Sequence, residues 1–331
     1  MRITRETLIK TAKETASHYA RQDKSLVCIY LTGSILLEED PLLGNTGDVD
    51  LVMVHDAEQP YPRELVRLTE DVHLDIAHYY QGIFARPRNL RQDPWVGSFL
   101  CEDPVCLYDL QHWFELKQAS VAAQFNLPET VLSRCRPMSE AARKIWMDIN
   151  QEEIKPIPVV ILKYLQALEL AANSIACLSG PALTERRFLI NFPKRAEAVE
   201  RPGLASGLVD LLSRQVLSEE NWKSYFPDWQ ESLTTASKTK NHSVKLDACR
   251  LAYYIKAAAG NPSIAPWLVL RTWALAENTL GSESRTAERW MDLCNSVGLG
   301  EESFFHQLSA LDAYLDGVEE TLDIWASKFG V

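Results

Sequence analysis

The sequence lacks the short motifs that identify several large enzyme classes. It has no Gly-x-x-x-x-Gly-Lys-Ser/Thr segment, which excludes a P-loop ATPase. It has no Gly-x-Gly-x-x-Gly after a strand, which excludes the dinucleotide-binding fold that carries this motif. None of His55, His73, His78 and His112 has a partner at zinc-type spacing. We interpret His73 and His78 as packed side chains that support a neighbouring acid, rather than as catalytic groups.

Disulfide patterns and membrane segments are also missing. Seven cysteines, an odd number without a Cys-x-x-Cys pair, predict the reduced thiols of a cytoplasmic protein. No apolar run reaches the length of a membrane span, and the N-terminal segment has no apolar core of a secretion signal. With 331 residues, 46% of them hydrophobic and 24% charged, the chain is expected to be a soluble protein of two domains.

The net negative charge of the chain favours some binding partners over others. The net charge is −11, of which residues 1–117 contribute −7. Affinity for nucleic acid comes largely from neutralising phosphates, so an acidic chain makes nucleic acid an unlikely partner. A cationic small molecule or a metal–nucleotide complex suits this charge better.

The most informative pattern begins with a short apolar segment. Residues 25–31 are apolar and partly β-branched, which predicts a buried strand. Gly33 and Ser34 end that strand, and Ser34 is placed to cap a short helical turn at 35–39. A glycine allows backbone to approach a phosphate closely, and the serine adds a hydroxyl and N–H donors.

Three acidic residues follow on two further predicted strands. Asp48 and Asp50 open the strand 49–54, and because they are two residues apart their side chains point to the same face. Asp75 lies in the strand-like run 72–77. Three convergent carboxylates repel one another unless cations neutralise them, and an all-oxygen ligand set suits Mg²⁺. Such a site is typical of phosphoryl and nucleotidyl transfer.

This order of motifs resembles the polymerase-β-like nucleotidyltransferase superfamily. The signature of that family is Gly-Ser or Gly-Gly after an apolar residue, then Asp-x-Asp or Asp-x-Glu between apolar residues, then a third acid on a later strand. Here Gly33-Ser34 is followed after 13 residues by Asp48-Val49-Asp50, and Asp75 lies between two apolar residues. The enzymes that transfer AMP to hydroxyls of aminoglycoside antibiotics are the most similar in architecture.

The resemblance implies roles for these residues. Asp48 and Asp50 would hold the metal that bridges the nucleotide phosphates. Asp75, together with them, would hold a second metal and help to activate the acceptor hydroxyl. Gly33 and Ser34 would hold the departing pyrophosphate. The implied cofactors are two Mg²⁺ ions with ATP as co-substrate, and the implied reaction gives R–O–NMP and pyrophosphate from a small hydroxyl acceptor.

The resemblance covers roughly residues 20–115. From about residue 118 the pattern of apolar residues is helical almost throughout. We therefore predict an α/β (α+β) nucleotidyltransferase domain with a small mixed sheet at 1–117, followed by an all-helical acceptor-binding domain at 118–331. In the first domain we also expect helices at 4–22 and 63–70 and a closing strand at 105–109. In the second, helical patterns cover 128–149 with a break at Pro137, 157–178, 183–199 interrupted at Pro193, 203–212, 218–238, 244–259, 264–280, 285–297 and 301–329.

Two further groups of residues are candidates for the site. Arg86 and Arg88 begin an arginine-rich segment that binds phosphate or forms a solvated loop. On the helix 157–178, Lys163 and Glu169 border one polar arc. That arc either faces solvent or lines the cleft, where Lys163 would meet a phosphate and Glu169 would bind or deprotonate the acceptor, as a helical-domain carboxylate does in the antibiotic-modifying relatives.

Other functions stay open at this point. The chain could add nucleotides to protein or RNA, although its acidity disfavours RNA. It could also be a nucleotide-binding regulatory or antitoxin-like protein without turnover, although the complete set of acids disfavours that. The aromatic cluster of Trp222, Tyr225, Phe226 and Trp229 could stack a ring ligand, but its helical spacing favours a place in the core.

Overall fold

The chain is an α+β protein that divides into two compact units. The computed structural model describes residues 3–39, 41–151, 154–214, 217–240 and 242–331. One unit is Met1–Val131 and the other is Leu132–Val331. The sequence-predicted boundary after residue 117 lies inside a helix, Trp113–Ala122, that belongs to the first unit.

The first unit contains a five-stranded sheet and its covering helices. Four predicted strands and the predicted N-terminal helix are confirmed. The elements in chain order are α1 (Arg5–Gln22), β1 (Leu26–Thr32), α2 (Ser34–Leu37), β2 (Gly47–His55), β3 (Arg63–Arg67), β4 (Val72–Tyr80), a 3-10 helix (Gln81–Ala85), α3 (Pro87–Gln92), α4 (Val96–Cys101), β5 (Val105–Asp109) and α5 (Trp113–Ala122).

The sheet is mixed, with strand order β3-β4-β2-β1-β5. β2 and β4 are parallel neighbours, and the other pairs are antiparallel. One face packs on α1 through residues such as Leu51 and Ile76, and the other packs on α3, α4 and α5 through Tyr30 and Val52. Since side chains alternate between faces, the even-numbered residues of β2, which include both of its acids, lie on the face of Tyr30 and Val52.

The predicted helix at 63–70 is wrong, because Arg63–Arg67 forms the edge strand β3. Its alternation explains the strand: Val66 packs into the α1 side of the core, and Glu64 accepts a hydrogen bond from the Tyr19 hydroxyl. A five-residue segment is too short to hold itself as a helix, whereas pairing with β4 satisfies its backbone groups.

The predicted capping role of Ser34 is also wrong. Gly33 occupies the N-cap position of α2, and Ser34 is the first helical residue with no side-chain cap. Gly33 has φ +84, in the left-handed region that glycine adopts without the steric penalty of a Cβ atom. The chain therefore turns at Gly33, and that turn fixes where the following helix starts.

The second unit is built from helices, in agreement with the predicted helical runs, and the first of them begins four residues before Leu132. Its helices are α6 (Pro128–Ile149), α7 (Pro158–Ala176), α8 (Phe188–Ala198), α9 (Gly203–Leu212), α10 (Glu219–Ala236), α11 (Ala248–Gly260), α12 (Ala265–Leu280), α13 (Ala287–Val297) and α14 (Phe304–Phe329), with 3-10 helices at Glu185–Arg187, Val244–Leu246, Pro262–Ile264 and Gly281–Glu283. The predicted breaks at Pro137 and Pro193 are wrong, because α6 and α8 continue through these prolines.

Helix α7 is the centre of this unit and packs against α8, α9, α12 and α14. Contrary to the sequence-based expectation, this helix is long and apolar enough to span a membrane by length and composition. However, 67% of the apolar window is buried inside the structure, which is typical of the core helix of a soluble protein.

The aromatic cluster of α10 belongs to this core, as its spacing predicted. Trp222, Tyr225, Phe226 and Trp229 are all buried. The indole Nε1 of Trp229 donates to the hydroxyl of Thr272 at 2.9 Å, so its polar atom is satisfied inside the protein.

An arginine on α6 ties that helix to the C-terminal helix α14. Arg143, whose side chain is 16% exposed, pairs with Asp312 and Asp316 at 2.5 Å each and with Glu319 at 2.8 Å. Its guanidinium also lies over Trp146, whose Nε1 donates to a carbonyl of α14. One half-buried side chain thus joins two helices that are far apart in the sequence.

Candidate active site

The register of two parallel strands brings the candidate acids together. Asp48 on β2 is paired with His73 on β4, and Asp50 is paired with Asp75. Paired residues on neighbouring strands point to the same face of a sheet, so all four side chains share one face. The sheet therefore converts two short sequence patterns, each two residues apart, into one compact group.

Three of these side chains have the spacing of a metal site. One ligand atom each from Asp48, His73 and Asp75 can be chosen so that all lie within 4.8 Å of one another. His73 and Asp75 are 1% and 2% exposed, and Asp48 is half-buried. Burial makes the convergence of charge energetically demanding, which is a common property of functional sites.

An arginine from the edge strand compensates part of this charge. The Nε of Arg63 donates a short hydrogen bond to Oδ1 of Asp75. The Asp75 side chain is 1% exposed, whereas the Arg63 side chain is 43% exposed. Arg63 thus reaches inward from a partly solvated position. A helix at 63–70, as the sequence predicts, does not give this contact, which depends on the pairing of β3 with β4.

Asp50 is not a member of the three-residue group and lies against the Gly33 turn instead. A Cβ atom on Gly33 would overlap the carboxylate of Asp50. Two requirements therefore select glycine at this position: the positive φ and the close approach of an acidic side chain. The predicted link between the glycine-serine turn and the aspartate motif is physical, because the turn makes room for the second aspartate.

A hydroxyl beside this turn is also buried. Thr32, which precedes Gly33 and pairs with Asp50, is 2% exposed. Its Oγ1 has no hydrogen-bond partner within the described ranges of the chain. A buried, unsatisfied hydroxyl next to carboxylates is a feature that a bound group or water normally satisfies. Ser34, one residue beyond the turn, is half-buried at the start of α2.

The arginine-rich segment forms a helix rather than a loop. Arg86 is the N-cap residue of α3, and both Arg86 and Arg88 are exposed. Among the residues that the structure describes, neither takes part in a salt bridge. Arg91 has a structural role, because it donates to the backbone carbonyls of Ser120 and Val121 and so fastens α3 to α5.

The predicted polar arc of α7 is divided between solvent and core. Lys163 is exposed, whereas Asn173 is 1% exposed and bonds both backbone groups of Leu183. Glu169 is largely buried, and its Oε2 pairs with Nη2 of Arg271 at 2.5 Å. Burial raises the pKa of Glu169, and Arg271 opposes this shift. The arc is therefore not a uniform polar surface.

Glu169 belongs to a partly buried ionic network in the second unit. Glu185 is its other carboxylate and contacts Nζ of Lys245 at 2.6 Å and Nε of Arg271 at 3.7 Å. The hydroxyl of Tyr254 donates to Glu185 at 2.8 Å. Burial would raise the pKa of Glu185, but Lys245 and Arg271 outweigh it and lower this pKa to about 2.

His73 is packed beside Asp75, as expected, but its place opposite Asp48 was not predicted. A signal was available, because His73 is two residues before Asp75 and must share its face if the segment is a strand. What the sequence could not supply is the register that sets His73 opposite Asp48. Register depends on tertiary packing, since a slip of one residue would turn each side chain to the other face.

The donor set fits a divalent cation. Carboxylate oxygens suit Mg²⁺, and an added imidazole nitrogen widens the choice to transition ions. The glycine turn provides space beside Asp50, and the buried Thr32 hydroxyl supplies a further polar atom. No protein-family model matches the chain, and no curated protein matches it either.

Proposed function

We propose that this chain is a cytoplasmic nucleotidyltransferase of the polymerase-β-like type, which transfers a nucleoside monophosphate, AMP from ATP, to a hydroxyl of a small acceptor. The observation that carries the proposal is the Gly33 turn packed against Asp50, next to the convergent Asp48 and Asp75 on in-register strands. This combination joins a close-approach turn to an acidic site for cations, the two parts that a nucleotide triphosphate requires.

In the proposed reaction, the acceptor oxygen forms a bond to the α-phosphorus of the nucleotide. The bond between the α-phosphorus and the oxygen bridging to the β-phosphorus breaks, pyrophosphate leaves, and the acceptor proton passes to a base. Divalent ions held by Asp48, Asp50 and Asp75, two Mg²⁺ in the family pattern, would supply charge neutralisation for the attacking and leaving oxygens. In this proposal Gly33 and Ser34 contact the departing pyrophosphate.

The residues around these acids would prepare them for that task. Arg63 fixes the rotamer of Asp75 through its hydrogen bond and lowers the net charge of the acidic group. Arg86 and Arg88 remain candidates for phosphate contacts as exposed cations. The predicted roles of Lys163 toward the nucleotide and Glu169 toward the acceptor stay predictions.

The charge of the protein supports a small acceptor. A net charge of −11 opposes binding of nucleic acid and favours a cationic molecule. All seven cysteines are free thiols, which agrees with a reducing compartment.

The test is label transfer from ATP. The full-length protein is incubated with Mg²⁺ and ATP labelled at the α-phosphorus, separately with aminoglycosides, tRNA and cell lysate, and pyrophosphate release is followed in parallel. We expect the label to move to a small acceptor. A parallel reaction with ATP labelled at the γ-phosphorus separates nucleotidyl transfer from phosphoryl transfer.

A matched pair of variants serves as the control. Asp48→Asn should remove transfer, whereas Asp56→Asn, the same change at an exposed residue just after β2, should leave it intact. Transfer of the γ-label, or equal activity in the two variants, would contradict the proposal. Label moving to tRNA or to a protein in the lysate would show that the small-acceptor part of the proposal is wrong.

A further inference from the structure

The imidazole of His73 is part of the acidic group rather than a neighbour of it. The parallel register places His73 opposite Asp48 and on the same face as Asp75, two residues along the same strand. A nitrogen or oxygen atom of each of these three residues lies within 4.8 Å of the others. Ligands bound to one small cation at about 2.1 Å are separated by roughly 3 to 4 Å, so small rotamer adjustments suffice.

We propose that His73 is a metal ligand together with Asp48 and Asp75, and that this site selects a divalent first-row transition ion such as Mn²⁺ over Mg²⁺. The inference deepens the proposed function by naming the class of ion that serves it. It rests on that function only in treating the group as the metal site for nucleotide chemistry, because ion binding itself can be measured without any reaction.

Ligand chemistry determines the selectivity. Mg²⁺ takes oxygen ligands almost exclusively and gives up its waters reluctantly. A neutral imidazole nitrogen is a good ligand for first-row transition ions, and two carboxylates with one imidazole form a mixed set that Mn²⁺ accepts. A site whose third ligand is His73 therefore gains affinity for Mn²⁺ that it does not gain for Mg²⁺.

The charge of the group agrees with a dication. Asp48 and Asp75 carry two negative charges, Arg63 beside Asp75 carries one positive charge, and an imidazole that binds a metal ion is neutral. These four groups sum to −1, and a bound dication changes the sum to +1. Asp50, opposite Asp75 on the same face, adds one negative charge, so the whole group is neutral once a dication is bound and no longer repels a polyphosphate as the acids alone would.

Asp50 is not a ligand of this first ion, and in the proposed function it would help to hold the second one. Its carboxylate lies at the Gly33 turn and is outside the three-residue group. The nitrogen-containing site is thus different in composition from the three-aspartate set that the sequence predicted. Replacing Asp50 should therefore change the first Mn²⁺ affinity less than replacing Asp48 or His73.

The experiment measures ion binding directly on the full-length protein. Titration calorimetry gives affinities for Mn²⁺ and Mg²⁺, and pulsed electron paramagnetic resonance of bound Mn²⁺ detects nitrogen in its first coordination shell. We expect Mn²⁺ to bind at least roughly tenfold more tightly than Mg²⁺, with a nitrogen coupling in the spectrum. Growth with ¹⁵N-histidine should change that coupling, which identifies histidine without any substitution.

Two substitutions localise the nitrogen. His73→Asn should abolish the coupling and weaken Mn²⁺ binding by roughly tenfold or more, with a smaller effect on Mg²⁺. His78→Asn is the matched control, because His78 is on the same strand but points to the opposite face, where it bonds His55. It should retain both the coupling and the affinity.

The outcomes separate this inference from the proposed function. Bound Mn²⁺ without a histidine coupling in the wild-type protein, equal affinity for the two ions, or no Mn²⁺ binding would each overturn the role of His73, even if label transfer from ATP is observed. A histidine coupling lost only in His73→Asn supports it, even if no acceptor is ever modified. If His73→Asn does not fold, the inference is still tested: a wild-type spectrum without a histidine coupling, or loss of that coupling in His78→Asn, would overturn it.

Discussion

The two units of this protein bury carboxylates in different ways. In the helical unit, Glu185 contacts a lysine, an arginine and a tyrosine hydroxyl, and Glu277 accepts hydrogen bonds from Ser232, Trp273 and Thr286. In the sheet unit, Asp48 and Asp75 converge with an imidazole, so that their oxygens can contact one common ion. The first arrangement has the features of a structural network, and the second has those of a binding site.

The difference lies in geometry rather than in burial. Each helical-unit carboxylate is surrounded by donors from several helices, which satisfy it separately. The sheet-unit acids are held side by side by strand register, which brings like charges together. A protein tolerates such repulsion when a bound ligand offsets it. Removal of a charge should therefore change stability in opposite directions in the two units.

The largest expected effect is in the helical unit. Glu185→Gln leaves Lys245 without its anion, whereas Arg271 keeps Glu169. The free energy of unfolding should fall by about 3 kcal/mol, at the lower end of the range for broken buried pairs, because Lys245 is 38% exposed and Arg271 stays paired. Urea denaturation at neutral pH measures it. The control Glu200→Gln, in an exposed pair with Lys328, should show no measurable change.

The difference in stability between the wild-type protein and Glu185→Gln should depend on pH. The pKa of Glu185 is about 2 in the folded protein and 4.5 for a glutamate without these partners, as in the unfolded chain. Its stabilising contribution is therefore complete above about pH 4.5 and is lost as the pH falls toward 2. The wild-type and Glu185→Gln stabilities should therefore converge in acid. A difference that stays constant from neutral pH to acid would contradict the assignment.

The next largest effect is in the sheet unit and has the opposite sign for stability. Asp48→Asn and Asp50→Asn should each reduce label transfer to below roughly one hundredth of wild type, because an amide is a poor substitute for a charged metal ligand. Without metal, the thermal midpoint should stay the same or rise, because a repulsive charge has been removed. Activity assays and calorimetry measure the two effects. Near-normal turnover in both variants would remove the basis of the proposed function.

A smaller effect is expected at the turn that holds Asp50. Gly33→Ala introduces a Cβ at a positive φ and against the Asp50 carboxylate, so stability should fall by about 1–3 kcal/mol and nucleotide use should fall with it. Gly203→Ala, at a helix start with open space, is the control and should be neutral. Ser34→Ala should have a milder effect than Gly33→Ala, because backbone N–H groups remain. Normal nucleotide binding by Gly33→Ala would show that the turn is not part of the site.

The smallest expected effect is a pH dependence of stability that comes from His55 and His78. These two side chains are hydrogen-bonded to each other. Burial and the neighbouring His78 lower the pKa of His55, and burial lowers that of His78, from the usual 6.5. The unfolded chain therefore takes up protons first, so stability is complete above about pH 6.5 and decreases as the pH falls below it. Urea titrations near neutral pH and near pH 5.5 measure this slope.

A substitution identifies the source of that slope. The double variant His55→Asn/His78→Asn should flatten it, whereas His18→Asn, at an exposed position of α1, should leave it unchanged. An unchanged slope in the double variant would assign the pH dependence to other groups.

The sequence predicted those parts of the fold that depend on local periodicity. The strands β1, β2, β4 and β5 and the helical runs were found because their apolar residues recur at regular spacing. β3 was missed because it has five residues, and its pairing with β4 decided its conformation. The sequence predicts breaks at the prolines of α6 and α8, but both helices continue through them.

The acids of the candidate site could be predicted from the sequence, but the residues beside them could not. Asp48, Asp50 and Asp75 follow from spacing along the chain. Arg63 and His73 reach these acids through strand pairing, which single-sequence patterns do not specify. The same limit applies to α7, where Asn173 is buried by a backbone segment ten residues further on while Lys163 stays exposed.

The Arg143 contacts have a consequence for synthesis of the chain. Their partners Asp312, Asp316 and Glu319 lie 169 to 176 residues later, on the last helix. Contacts so distant in sequence form late, and a ribosome releases the N-terminal part first. Nascent chains that end before Phe304 should therefore leave α6 sensitive to protease, and α14 should protect it. The sheet unit can complete its own strands long before that moment, so the candidate active site is assembled before the helical unit closes.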